Sequence, residues 1–321
     1  MRALVVKEPG PPESLRLTET ATPSPGPGEL TIDVAYAGVG FVDTLFRSGA
    51  FDLPTPFTPG IEVTGHVREI GPGVTGFEPG QPVGALLNDF GRGMRAGGYA
   101  EVAVAHATMT TRLPGDADLA RMAAVLINGV TAWLALHDLA RLQVGDDVLV
   151  LGASGGLGGI TGRLAAIHPA GRVIGSSRRP SDAPTWTHLV TDLDTVPDLT
   201  GGRGVDIVID PVGGDLRTRA YDLLAPFGRL VVVGNASGQD RPVSADSAWL
   251  NTRQILGFSL GGVAHLIPDR VGTALSAIVD LVHRGVLREP APSVVPLDQA
   301  TEVHQALETR TAPAKTVLAI R

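Results

Sequence analysis

Val148-Leu149-Val150-Leu151-Gly152-Ala153-Ser154-Gly155-Gly156-Leu157-Gly158-Gly159 is the stretch that decides how this chain folds. Four aliphatic residues in a row read as a short strand buried on both faces, the pattern of a parallel sheet covered on each side. The small residues that follow permit a tight turn, and the stretch beyond it can be a helix as far as His168-Pro169. Ala153-x-Gly155-x-x-Gly158 is the dinucleotide fingerprint with alanine in its first place, where small side chains allow pyrophosphate approach and close helix packing. Backbone N–H groups at the helix start would receive the phosphate charge. A glycine-rich turn without ligand is the plain alternative. The position between a strand and a helix, inside a βα series, favours the nucleotide.

Downstream the same rhythm continues, with aliphatic runs at Arg172 to Ile174, Val205 to Asp210, Leu230 to Val233 and Gln254 to Leu260. The second strand should end near Ser176-Ser177, about 20 residues past the glycines, where NAD-selective sites place an Asp or Glu for the ribose hydroxyls. Here stand Ser176, Ser177, Arg178 and Arg179. Hydroxyls and guanidinium forks suit a 2′-phosphate, whereas a carboxylate would repel it, so the reading is NADPH over NADH. Two arginines on a solvated loop are the bland alternative, and the lack of an acid beside them weighs against it.

Upstream, short β segments are expected at Arg2 to Val6, Leu30 to Ala37, Glu62 to Ile70 and Tyr99 to Ala105, separated by Pro/Gly turns such as Pro23 to Gly28. This part reads as a small irregular β-barrel. Helical spacing across Ala123, Leu126, Val130, Trp133, Leu134 and Leu136 predicts one long helix or two within Asp118 to Arg141. The tail carries helical pieces at Ala274 to His283 and Gln299 to Thr309 and a terminal strand at Lys315 to Ile320. The expected organisation is therefore a β domain over residues 1–120, a nucleotide domain over 121–260, and a return to the first domain over 261–321.

The 321 residues favour about two domains. Hydrophobic residues at 43% and charged residues at 18% are a globular balance, and a net charge of -7 provides no general field for nucleic acid or anionic lipid. No apolar run approaches the roughly 20 residues of a membrane span, and the N-terminal apolar run is too short for a signal sequence. With no cysteine, disulfides, a thiolate nucleophile and a thiolate zinc site are excluded, which fits a cytoplasmic protein.

At this point the chain resembles the medium-chain dehydrogenase/reductase superfamily and, within it, the zinc-free, zeta-crystallin-like quinone oxidoreductases. The resemblance covers nearly the whole length. It rests on Gly38-Val39-Gly40-Phe41-Val42-Asp43 with Arg47-Ser48-Gly49, on Pro59 to Gly65, on Gly129-Val130-Thr131-Ala132 and on Ala153 to Gly158. Asp210-Pro211-Val212-Gly213-Gly214 and Gly234 to Gly238 complete it. It implies an α/β protein with a GroES-like β-barrel domain for substrate and a Rossmann parallel-sheet domain for NADPH, the nicotinamide lying in the cleft between them. Residue by residue, it implies that Thr131 meets the nicotinamide end and that Ser154, Gly155, Gly156 and Leu157 meet the pyrophosphate. Ser176 to Arg179 fall at the 2′-phosphate. Val212, Asn235, Phe258, Ser259 and Leu260 line the cofactor's inner side, and Phe41 and Asp43 belong to a loop facing the nicotinamide. Without the match, a helix-internal hydroxyl for Thr131 and a loop-capping carboxylate for Asp43 would be preferred.

Zinc-dependent relatives place a Cys where Gly40 stands and a His where Ile61 stands, keeping a glutamate like Glu62. Catalytic zinc needs three protein ligands and an open position, so no metal is expected. The eight histidines, among them His66, His106, His137 and His168, show no ligand spacing. Three departures set the chain apart from the quinone-oxidoreductase pattern. Gly40 replaces an asparagine, Leu45 and Phe51 stand where tyrosines are frequent, and Pro180 to Pro184 replaces much of a helix. Hydride transfer then relies on positioning and electrostatics. Asn128, Asn88 and Arg47 are the candidates for contacting the developing oxyanion, each with a surface or capping role as the plainer reading, and Asn128 is the catalytic candidate retained. The expected activity is NADPH-dependent reduction of a quinone or small α,β-unsaturated carbonyl, by a homodimer formed through the Gln254-Ile255-Leu256-Gly257-Phe258 edge strand. An enoyl-thioester or polyketide-type enone reductase and a non-catalytic NADPH-binding protein are the competing readings.

Overall fold

The computed structural model describes residues 1–87, 97–168, 170–178, 185–312 and 315–320. Seven strands come first: β1 (Arg2–Val6), β2 (Leu15–Glu19), β3 (Glu29–Val39), β4 (Glu62–Ile70), β5 (Pro82–Leu86), β6 (Val102–His106) and β7 (Thr110–Arg112). Helix α1 (Phe41–Ser48) lies between β3 and β4, and α2 (Leu119–Ala123) and α3 (Leu126–Leu134) follow β7. The helical spacing after Asp118 thus resolves into two helices, with one π-helical turn over Ala135–Leu139 extending the second.

The next six strands are β8 (Val148–Leu151), β9 (Val173–Ser176), β10 (His188–Val190), β11 (Val205–Asp210), β12 (Leu224–Val232) and β13 (Gln254–Gly257). Among them lie α4 (Gly156–Ile167), α5 (Val196–Leu199), α6 (Gly214–Asp222) and α7 (Ala245–Leu250). The tail holds α8 (Leu260–Val263), α9 (Pro268–His283), β14 (Ser293–Pro296), α10 (Ala300–Glu308) and β15 (Thr316–Ala319). The last nucleotide-domain strand ends at Gly257, shorter than the expected run to Leu260, because Leu260 opens a helix. Contacts group the chain into Met1–Ile127 with Leu260–Arg321, and Asn128–Ser259.

In the first unit the strand order is β14-β15-β3-β4-β5-β7, and β6 also pairs with β3. The long β3 gives one edge to two partners in tandem, β6 along Glu29–Asp33 and β15 along Tyr36–Val39. The C-terminal segment is therefore stitched into the N-terminal sheet. Leu30, Ile32, Val34, Ala37, Val63, Val83, Ala85 and Leu318 alternate inward along these strands and make its core.

In the second unit the six strands are parallel in the order β10-β9-β8-β11-β12-β13. Every residue of β8 is buried, as a central strand covered on both faces requires. Between α4 and β9 the Trp186 indole fills a slot opened by two missing side chains. A Cβ on Gly162 would collide with it, and one on Gly175 would stand 2.7 Å from its ring.

One carboxylate organises the first unit. Glu62, at the start of β4, is fully buried; its Oε1 accepts from Lys315 Nζ at 2.7 Å and its Oε2 from the Ile127 N–H at 2.8 Å. Ile127 is the second residue of α3, so the negative charge also meets the positive end of a helix. The space exists because Gly38 has no side chain, since a Cβ there would collide with the carboxylate and with the Ala123 carbonyl. Removing one member of a buried ion pair costs about 3–5 kcal/mol, because the other charge stays behind. Glu62→Ala should therefore lower the unfolding free energy in urea by roughly 3 kcal/mol, and adding Lys315→Met should return part of it. Equal stability of wild type and Glu62→Ala would refute this role.

Candidate active site

The glycine turn follows from the geometry at the end of β8. Gly152 takes φ +64°, a conformation that disfavours side chains, and a Cβ there would stand 3.0 Å from Val212 Cγ2. The chain folds back at once, with the Gly155 N–H donating to the Gly152 carbonyl at 2.9 Å. Helix α4 then begins at Gly156 with Gly155 as its N-cap and no side-chain cap bond. Its first N–H groups are thus left for an external acceptor, at the positive end of a twelve-residue helix. Gly158 packs so closely on the strand end that a Cβ would collide with the Gly152 carbonyl. Ser154, Gly155 and Gly156 are exposed and Leu157 is half-buried.

Sheet order explains why this turn is a binding position. From β8 the chain moves outward through β9 to β10 and then returns to the other side of β8 with β11, so the strand order reverses beside β8. Ligands of open α/β sheets bind outside the carboxyl ends of the strands at such a switch point. Ser176 closes β9 and its carbonyl accepts from the Ala153 N–H at 2.9 Å, which puts the serine pair next to the glycine turn. Ser176 and Ser177 are buried at the strand end and Arg178 is exposed. Arg179 and the short Pro180 to Pro184 segment lie outside the described residues.

Across the switch point, Asp210 ends β11 fully buried. Its Oδ1 accepts from the N–H groups of Val212 and Gly213, both at 2.8 Å, and its Oδ2 from Arg217 Nε at 2.5 Å. The same guanidinium donates to the Gly234 carbonyl at 2.9 Å. One ion pair therefore fixes both loops that carry Val212 and Asn235, and a Cβ on Gly213 would collide with the Asn235 amide. The aspartate was legible only as part of a motif; its partner Arg217 had no sequence signal.

Phe258 is half-buried and its N–H donates to the Val232 carbonyl at 2.9 Å, while Ser259 is exposed. Leu260 is buried and belongs to the other unit. Thr131 is half-buried on α3, one turn after Asn128. Asn128 lies against the glycine turn, since a Cβ on Gly156 would stand 2.8 Å from its Nδ2.

In the first unit, Phe41 opens α1 half-buried. One expected contact, Asp43, and one weighed candidate, Arg47, are corrected there. Asp43 is fully buried, its Oδ2 accepting from the Gly40 N–H at 2.8 Å and its Oδ1 from the Gly60 N–H at 3.1 Å, so it ties α1 to the β4 approach and presents no surface to a ligand. Arg47 is equally enclosed, donating to the Gly10 carbonyl and to Glu308 of α10. It is a packing cation and no oxyanion contact. Asn88, the third candidate, lies outside the described residues. Phe51 is exposed and packs edge-on against Phe46, with ring centroids 5.4 Å apart.

A catalytic zinc does not fit this donor set. Gly40 has no side chain and Ile61 is a core residue. Both Glu62 oxygens are already engaged, one by Lys315 and one by the α3 backbone.

Residues 26–115 match the family model of the alcohol dehydrogenase GroES-like domain, and residues 186–318 match the zinc-binding dehydrogenase model. A 2-haloacrylate reductase from a Burkholderia species is 30% identical, with 98% of each chain covered. The quinone oxidoreductase of Lama guanicoe is also 30% identical, over 100% of this chain and 98% of its own. Among solved structures, a mycobacterial protein in complex with NADPH superposes with a TM-score of 0.88 at 31% identity, with both chains covered completely.

The buried groups around Asp43 make a pH signature. Burial pushes the Asp43 carboxyl up to about 6 against the pull of the Gly40 N–H, Lys315 and the Gly60 N–H. The imidazole of His304, 3.2 Å from the Tyr99 hydroxyl, is pushed down to about 3 by burial and by Arg47. Unfolded, these groups titrate near 3.8 and 6.5. Between about pH 4 and 6 the folded Asp43 holds a proton that the unfolded chain has lost, so its contribution to stability falls as pH rises. Over the same range unfolded His304 holds a proton that the folded chain lacks, so its contribution rises. Each slope is about 1.4 kcal/mol per pH unit, and they offset. Urea unfolding at pH 4, 5 and 6 should show stability rising with pH in Asp43→Asn and falling in His304→Gln, relative to wild type. Parallel pH profiles in all three proteins would contradict these protonation states.

Proposed function

The chain belongs to the medium-chain dehydrogenase/reductase superfamily, in its quinone-oxidoreductase-like group, and on that footing we propose that it is an NADPH-dependent, metal-independent reductase of quinones and small α,β-unsaturated carbonyls. The observation that carries the reading is an uncapped glycine turn at the sheet's switch point, with Ser176 and Ser177 at the neighbouring strand end and no acid among residues 176–179. NADPH, when bound, supplies the hydride. The N–H groups of Gly156 and Leu157, with Ser154 and Gly155, receive the pyrophosphate, and Ser176, Ser177, Arg178 and Arg179 receive the 2′-phosphate. Val212, Asn235, Phe258 and Ser259 line the inner side and Thr131 meets the nicotinamide end. For Phe41 and Leu260, in the other unit, the assignment rests on the family resemblance alone.

The chemistry of the acceptor follows from what the chain lacks. Without a Lewis acid at Gly40 and Ile61, an unactivated carbonyl has nothing to polarise it. A quinone or a conjugated C=C is electron-poor already and delocalises the arriving charge onto oxygen. Two relatives are named for such acceptors, a quinone and a 2-haloacrylate. Leu45 and Phe51 carry no proton donor, which favours acceptors that can take their proton from water.

Purified protein should oxidise NADPH with 1,4-benzoquinone and short enones, undiminished by chelator, and should not oxidise simple alcohols with NADP⁺. Replacing Arg178 and Arg179 together by Ala should weaken NADPH binding on the order of 10–100-fold and leave NADH nearly unchanged. Equal losses for both cofactors would refute the 2′-phosphate assignment. Turnover confined to enoyl thioesters would replace the substrate reading, and the absence of any turnover would favour a non-catalytic NADPH-binding protein.

We also assign a homodimer and a cytoplasmic location. The absence of cysteine supports the compartment, and no helix among the described residues is long and apolar enough to cross a membrane. The dimer is supported by β13, which ends the sheet with Ile255 exposed, and by exposed Phe227, Trp249 and Leu250 in the same unit. An open apolar edge is a template for a further strand. Light scattering at micromolar concentration should give twice the 33.2 kDa chain mass, and Ile255→Lys should shift it towards the monomer. A wild-type mass of one chain would count against the dimer.

A further inference from the structure

Asn128 was a candidate for contact with a substrate oxygen, but its neighbours belong to the other end of the cofactor. Its amide nitrogen lies beside Gly156, the first residue of α4, at the point where a Cβ would come within 2.8 Å. Asn128 and α4 belong to the same compact unit. The carboxamide is half-buried and makes no hydrogen bond with any described residue, although an amide offers two donors and an acceptor that proteins seldom leave idle. The helix end beside it is capped by a glycine with no side-chain acceptor. Two sets of N–H donors, one from the α4 backbone and one from a side chain on α3, therefore converge where no anion among the described residues serves them.

We propose that Asn128 is a cofactor-clamping residue whose carboxamide donates to the pyrophosphate of bound NADPH, alongside the first N–H groups of α4. The assignment rests on the NADPH reading above and extends it to a residue outside the glycine fingerprint. An amide suits the position for a physical reason. It adds a donor without a charge, and a carboxylate of the same shape would repel the phosphates. Gly156 is bare so that the amide and a phosphate oxygen can both approach the helix end.

The pyrophosphate is common to NADPH and NADH, whereas adenosine 2′-monophosphate lacks it. Calorimetric titration of the full chain separates these cases. Asn128→Ala should weaken NADPH and NADH by the same factor of about 10, as expected for one hydrogen bond to a charged group, with adenosine 2′-monophosphate unchanged. Asn128→Asp should weaken both dinucleotides further. With saturating NADPH and 1,4-benzoquinone, kcat of Asn128→Ala should stay within about threefold of wild type, the loss appearing in KM for NADPH. Asn128→Ser, too short to reach the phosphate, should repeat the Ala result and guards against a folding defect peculiar to one variant. Unchanged dinucleotide affinity in both folded variants, or a loss of kcat with affinity intact, would overturn the assignment. Loss of affinity for NADPH with none for NADH would move Asn128 to the 2′-phosphate and overturn it equally. A wild-type protein that binds neither dinucleotide would remove the functional reading itself, and this inference with it.

Discussion

The buried carboxylate of Glu62 is the constraint on which the first unit depends. A single charge taken out of water must be met from several directions, and here it is met by Lys315 from the C-terminal segment and by the backbone at the start of α3. Those partners arrive from points 253 and 65 residues along the chain. Meeting them determines where the tail returns, how β15 can pair with β3, and where the chain enters its next unit. The positive charge that faces it comes from the lysine.

The same device recurs. Asp43 holds the approach to α1 and the turn at Gly60, and Asp210 holds the Val212 loop while its partner Arg217 holds the Gly234 loop. In each case a carboxylate accepts backbone N–H groups that a tight turn leaves without partners, and those bonds offset part of the cost of burying the charge, although at Asp43 burial outweighs them. These loops are thereby held in place without becoming part of a helix or strand. On the proposed reading, hydride transfer by positioning makes use of that rigidity, because small displacements at the reacting atoms cost large factors in rate.

The donor set also narrows the chemistry. On the proposed reading, a site with a glycine and an isoleucine in the ligand positions leaves its substrate unpolarised and suits acceptors that bring their own electron deficiency. A glycine-rich turn without acidic neighbours similarly selects a ligand that brings its own charge. Both are cases of specificity set by what the side chains omit.

The aliphatic runs at β8, β11 and β12 and the glycine turn were legible in the sequence, because a strand buried on both faces and a helix packed tightly on it each leave a local composition that needs no knowledge of the rest of the chain. The family resemblance added the β domain and the order of the motifs. Periodicity did not reveal β2, β7, β10 and β14, which are short and partly exposed, nor β5, which is buried but carries Pro82 and Gly84, residues that read as turn. Nor did it show that Asp43 and Arg47 are enclosed, since burial of a charged residue depends on partners such as Gly60 and Glu308, 17 and 261 residues away. Asn128 could be singled out as a polar residue near Thr131, but its place beside Gly156 depended on how α3 packs against the turn after β8. The sequence by itself determined the parallel-sheet nucleotide fold and the lack of ligating side chains at positions 40 and 61, because these depend on residue type at local spacing. Only the tertiary structure decided which polar groups are consumed as struts and which are left free to bind, because that depends on whether distant backbone and side-chain donors reach them first.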